Sequence, residues 1–182
     1  MNSPSIQHVQ YALRSGFTLL ELMVAVVIMG IISVSVIPAM DNIRSMRQGA
    51  ARDDMTRYIH IARGRAIASG TPYGIEIDLA ESSLAIVRMN DRGDPEAVID
   101  PLTNLPKQIH LQILYPGVSI QEMINGDGIS GSGTVWFDFE SNPMTYDSVS
   151  DNFVVNTRVV VISLSSGEQV MVHPYSGTVE VQ

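Results

Sequence analysis

"SGFTLLELMVAVVIMGIISVSVIPAMDNIR", residues 15–44, is the stretch on which the reading of this chain turns. From Leu22 to Met40 it runs 19 residues without a charge. As a helix, that is long enough to span a bilayer core. A helix buried in a soluble domain keeps a polar stripe, and here only Ser33 and Ser35 interrupt the apolar surface. One acid, Glu21, stands at the front edge. Near the interface a carboxylate is tolerable, but at the bilayer centre it costs roughly 2.5–3.5 kcal/mol. Three readings follow. The run can be a secretory signal peptide cut after Ser33-Val-Ser35, although it is longer than such segments and an acid does not belong in one. It can be a plain anchor with Glu21 at the interface. Or Gly16 and Glu21 can both be functional.

The residues "GFTLLELMVAVVIMGIISVSVIPAM" resemble the N-terminus of type IV pilins and type II secretion pseudopilins. The resemblance implies that a prepilin peptidase cuts between Gly16 and Phe17 and methylates the new N-terminus at Phe17. Residues 1–16 would then be the leader, and Glu21 the acid that serves assembly. The leader is only weakly basic, with Arg14 and His8, which departs from the family's usual pattern. A carboxylate in hydrocarbon needs a partner, and so does a free amine. In a filament, one subunit's Glu21 can meet a neighbour's Phe17 amine, offsetting both desolvation costs and setting axial register. Pro38 lacks an N–H and clashes with the preceding turn, so Gly30 and Pro38 mark an expected helix kink. The alternative is that Gly and Pro are simply common in membrane helices.

The chain has 182 residues, 11 Lys+Arg, 19 Asp+Glu and a net charge of −8. It has no cysteine, which excludes a disulfide framework or a Cys-based metal site. Phe17–Gly70 carries six Arg against four acids, and Thr71–Gln182 four bases against fifteen acids. The C-terminal part should therefore repel nucleic acid.

Ala51, Met55, Tyr58, Ile59, Ala62 and Ala66 recur at three- and four-residue steps, with Arg47, Asp54, Arg57 and Arg65 on the other side. Gly70-Thr71-Pro72 ends that pattern. One helix from about Phe17 to Ser69 would be about 80 Å long. From Tyr73 the period becomes two. "YGIEID" and "LAIVRM" read as a hairpin, followed by strands at "HLQIL", "VSIQEMI", "TVWFDF", "RVVVISL", "QVMVH" and "TVEV". Asn90–Pro106 and Ser141–Asn156 read as long loops. The expected class is α+β, a long N-terminal helix packed on a mostly antiparallel β-sheet domain. Its parts are a leader at 1–16, a transmembrane or filament-core half-helix at 17–40, an amphipathic half at 41–70 and a β-rich periplasmic domain at 71–182. "DMTRYIHIARGRAIASGTPYGIEID" and "VVVISLSSGEQVMVHPYSGTVEV" resemble the GspH/FimT-type minor pseudopilins, which implies the lollipop-shaped pilin fold.

No chemistry of a catalyst emerges. Gly126, Gly128 and Gly131 form a G-x-G-x-x-G, but a strand follows it where a dinucleotide fingerprint needs a helix, so it reads as a loop. EF-hand spacing is missing; a weak calcium site at Asp127, or around Asp91 and Asp94, stays open. His8, His60, His110 and His173 do not pair at metal-ligand spacing, and His173 reads as structural. No nucleophile elbow occurs among the serines. No cofactor or metal is expected.

The resemblance implies a minor filament subunit of a type II secretion pseudopilus or a type IV pilus, placed at or near the tip. Its partners would be prepilin peptidase, other pilin or pseudopilin subunits, an inner-membrane assembly platform and, before assembly, membrane lipid. Two alternatives are a DNA-binding minor pilin for transformation and a membrane-anchored periplasmic protein that never polymerises. The first is disfavoured because "SGTVEVQ" at the C-terminus holds no base.

Overall fold

The computed structural model describes residues 17–182 apart from 91 and 148, with the backbone but not the side chains of 34–40. The expected leader, with Gly16, lies outside the described residues. Two compact units divide the chain, Met1–Asn42 and Ile43–Gln182.

Helix α1 runs from Leu19 to Ser69, unbroken through Gly30 and Pro38. Gly70 ends it with a positive φ of 68°, and its N–H still bonds to Ala66 O at 3.0 Å. A left-handed residue of this kind closes a helix most cheaply when it is glycine. Among the described residues no helix is long and apolar enough to cross a membrane; the described side chains of the apolar run stop at Ser33.

In the second unit the stripe Ala51, Met55, Tyr58, Ile59, Ala62, Ala66 is buried. Three of these six are alanines, small side chains on the face that packs toward the strands. Those strands are β1 (Tyr73–Asp78), β2 (Ser83–Met89), β3 (Pro95–Ala97), β4 (Gln108–His110), β5 (Ile120–Ile124) and β6 (Gly133–Phe137). They continue as β7 (Pro143–Asp147), β8 (Asn152–Val155), β9 (Val160–Leu164), β10 (Gln169–Val172) and β11 (Val179–Val181). Every pairing is antiparallel. The strands form two sheets, a seven-stranded one ordered β3-β2-β1-β6-β7-β8 with β4 beside β2, and a four-stranded one ordered β11-β10-β9-β5.

The main core joins the α1 stripe to Ile75, Ile77, Leu84, Ile86 and Phe137 of the larger sheet and to Met123, Ile162, Leu164, Val170 and Val172 of the smaller. Each fully buried Ile, Leu, Val, Met or Phe among them contributes about 1.5–3 kcal/mol of burial. Period two sends Val87, Trp136 and Met144 to the opposite face of the larger sheet, where they form a second buried cluster. Trp136 and Phe153 meet edge to face at 5.4 Å between ring centroids.

Three expectations need correction. "HLQIL" is not one strand: β4 stops at His110, and Leu111–Leu114 forms a single helical turn, α2. The Leu111 N–H still bonds across to Ser82 O, but Leu111 O accepts the Tyr115 N–H, the i to i+4 bond that closes a helical turn. Asn90–Pro106 contains β3, which pairs with β2. Ser141–Asn156 is the β7–β8 hairpin, whose frequent Asp, Asn and Ser hid its alternation.

Candidate functional site

The N-terminus of α1 holds the residues singled out by sequence. Thr18 precedes the first helical residue. Its backbone N–H donates to Glu21 Oε2 at 3.4 Å, and the Glu21 N–H donates to Thr18 Oγ1 at 3.3 Å. This reciprocal arrangement is a capping box, which supplies acceptors to two helix-end donors that would otherwise lack them. Glu21 also lies where the helix dipole favours negative charge. The Thr-Leu-Leu-Glu spacing at 18–21 is the sequence signal of this box, and it gives Thr18 a role beside the acid.

Beyond the cap, apolar side chains are exposed on every side. Phe17 is 80% exposed, and Leu20, Met23, Val27 and Ile31 are all above half. A helix apolar all round needs lipid or other helices about it. Ser33 does not spoil that surface, since its hydroxyl donates to Met29 O at 2.7 Å within the same helix. Of the two expected kink residues, Gly30 lies open, with nothing within 4 Å of where a Cβ would stand, and the side chain of Pro38 is outside the described residues.

The glycine-rich loop is a connection, as expected. The Gly128 N–H bonds to Asn125 O, the Ile129 N–H bonds to Asp127 Oδ1 at 2.9 Å, and β6 follows directly. Gly128 has a φ of 88°. Among the described residues no three His, Asp or Glu side chains are grouped to hold a metal, and Asp91 is outside them. His173 Nε2 lies 2.9 Å from Glu180 Oε2, joining the end of β10 to β11 in a structural role. Several bases are already engaged: Arg52 with Asp53 and, at 4.0 Å, Glu168; Arg57 with Asp54; Arg88 with Glu96.

One polar link was invisible in the sequence. The Tyr115 hydroxyl donates to Asp54 Oδ2 at 2.5 Å, and Arg57 holds the other oxygen at 2.7 Å. The hydrogen bond to Asp54, then burial, pushes the Tyr115 pKa up to about 12.

The chain thus combines a capped apolar helix start with a unit in which a helix packs on antiparallel sheets. Comparison with known proteins bears on the first part. Residues 12–37 match the family model of the prokaryotic N-terminal methylation motif, so the chain carries that motif. No curated protein matches the chain. Two solved structures are similar to it, both of the minor pseudopilin EpsH from the type II secretion system of Vibrio cholerae. One is 15% identical, with a TM-score of 0.46, covering 74% of this chain and 94% of its own. The other is 12% identical, with a TM-score of 0.48, covering 73% and 93%.

Proposed function

We propose that this chain is a minor pilin-like structural subunit of the GspH/FimT type, acting in a type II secretion pseudopilus or a type IV pilus. The observation that carries the reading is the methylation motif over 12–37. Prepilin peptidase cuts between Gly16 and Phe17 and Phe17 is methylated. The uncharged run holds the subunit in the inner membrane, with its β domain in the periplasm, until the assembly platform draws it into a filament of sibling subunits. Gly30 and Pro38 let the helix loosen on the way. Glu21 then meets the Phe17 amine of a neighbour. Its place in the first turn supports this, because an exposed carboxylate at the helix start lies within a few residues of its own N-terminus. Work is done by packing and one ion pair, not by turnover of a substrate. Intact mass and N-terminal sequencing of membrane-extracted protein test the reading. A methylated Phe17 terminus is the expected result; a terminus at Val36 would mark an ordinary signal peptide and overturn it.

A further inference from the structure

β8 ends the seven-stranded sheet, and β7 is its only paired neighbour among the described residues. The Asn156 N–H bonds to Pro143 O at 2.8 Å. By antiparallel alternation, Phe153 and Val155 therefore turn their backbone groups away from β7. Asn152 Oδ1 takes the Phe153 N–H at 2.8 Å. The Val155 N–H and the outward carbonyls remain as a strand edge with no strand beside it.

Next to this edge is a cavity of about 430 Å³, lined by Asp127, Thr145, Asp147, Val154 and Asn156 among others. Thr145 and Val154 are cross-strand partners, and Asn156 shares their side of the sheet by period two. Elsewhere that kind of sheet position is filled by core; here Val154 is 55% exposed. Asn156 is only 4% exposed. Its Oδ1 accepts from Thr145 Oγ1 at 2.8 Å, but its Nδ2 is buried without a partner. Gly126 lies directly against that amide, since a Cβ there would come 2.5 Å from Nδ2. The charged groups of the lining are the carboxylates Asp127 and Asp147. Hydrogen bonds from Ser150 and Val149 hold the Asp147 pKa below its usual value, so it is anionic at neutral pH. Arg158 packs against Gly128 and is not part of the lining.

We propose that the β8 edge and this cavity receive an extended basic peptide segment of another protein, added as a further strand of the sheet. Its backbone pairs with Val155, an apolar side chain covers Val154, and flanking Lys or Arg reach Asp127 and Asp147. A second copy of this chain is a poorer occupant, because pairing two β8 edges would bring like carboxylates together. The inference rests on the Ile43–Gln182 unit alone and does not depend on how the N-terminus is processed.

The test uses the full chain in detergent and a synthetic peptide, acetyl-Lys-Thr-Val-Lys-Val-Thr-Lys-amide, with a control in which every Lys is Glu. Fluorescence anisotropy should show saturable binding of the Lys peptide, about tenfold or more tighter than the Glu peptide and weakened by salt. Amide exchange at Val155 should slow on binding. Val155→Pro removes an N–H that faces away from β7, so the sheet should persist while binding falls about tenfold. Asp127→Lys, in the exposed loop, should do the same without touching the strand. Absence of Lys-peptide binding, equal binding of both peptides, or full binding by both variants would overturn the proposal. So would concentration-dependent dimerisation abolished by Val155→Pro, which would make a second copy the occupant.

Discussion

Thr18 and Glu21 satisfy each other at the start of α1, backbone N–H to carboxylate in one direction and backbone N–H to hydroxyl in the other. The Glu21 carboxylate is thus engaged by its own chain. Thr18→Ala should cost about 0.5–2 kcal/mol of local helix stability, within the range for lost N-caps. Hydrogen exchange at Leu19–Leu22 should accelerate, while Thr18→Ser should restore protection. Unchanged exchange in Thr18→Ala would show that the box contributes nothing.

Glu21→Ala should leave cleavage after Gly16 and membrane insertion intact and reduce incorporation into filaments, because a buried amine would lose its counter-charge. Co-purification with sibling subunits at the wild-type level would dismiss the pairing.

Tyr115 links the turn after α2 to α1 through Asp54. Its pKa is raised in the folded chain, so the stabilisation is full below the unfolded value near 10 and is lost as pH climbs through about 12. Thermal melts of the full chain should show a falling midpoint across that window, and Tyr115→Phe should flatten the fall. Because the hydroxyl is only partly buried, the effect is modest, on the order of 1 kcal/mol. An equally steep alkaline loss in Tyr115→Phe would refute the assignment.

Gly74 is buried under the Trp136 ring. A Cβ there would come 2.8 Å from Thr134 Cγ2 and 3.0 Å from two ring carbons. Gly74 has no positive φ, so the constraint is space alone. Gly74→Ala should destabilise by about 1–3 kcal/mol through overpacking. Combined with Trp136→Phe, which opens the space, the two changes should be clearly non-additive. Additive losses would place the strain elsewhere.

The Ile43–Gln182 unit should bind duplex DNA at most weakly and without sequence preference. Arg52, Arg57 and Arg88 already face carboxylates, and the β region is strongly acidic. A labelled duplex titrated at about 50 and 200 mM salt measures this. Micromolar binding at the higher salt, lost on replacing Arg92, Lys107 or Arg158, would favour a DNA receptor instead.

Local patterns carried much of the architecture. The Ala51-to-Ala66 stripe, the Gly70 stop, the β1–β2 hairpin and the non-helical glycine loop each depend on neighbours a few residues apart, and each is legible in order along the chain. The capping box was equally legible, since Thr18 and Glu21 are three apart. Other features had no local signal. Period two tells which side of a strand is apolar but not which strand lies beside it. So the division into two sheets, with β5 joining β9 across the chain, came only from tertiary pairing. Ser82 sits in a stretch that reads as an exposed polar turn, yet it is 1% exposed and its hydroxyl accepts the Ile120 N–H. The same holds for Asn156 under Gly126 and for Tyr115 on Asp54. Residues tens of positions apart meet there, and whether a polar group is left solvated, matched or orphaned depends on what the rest of the fold lays against it.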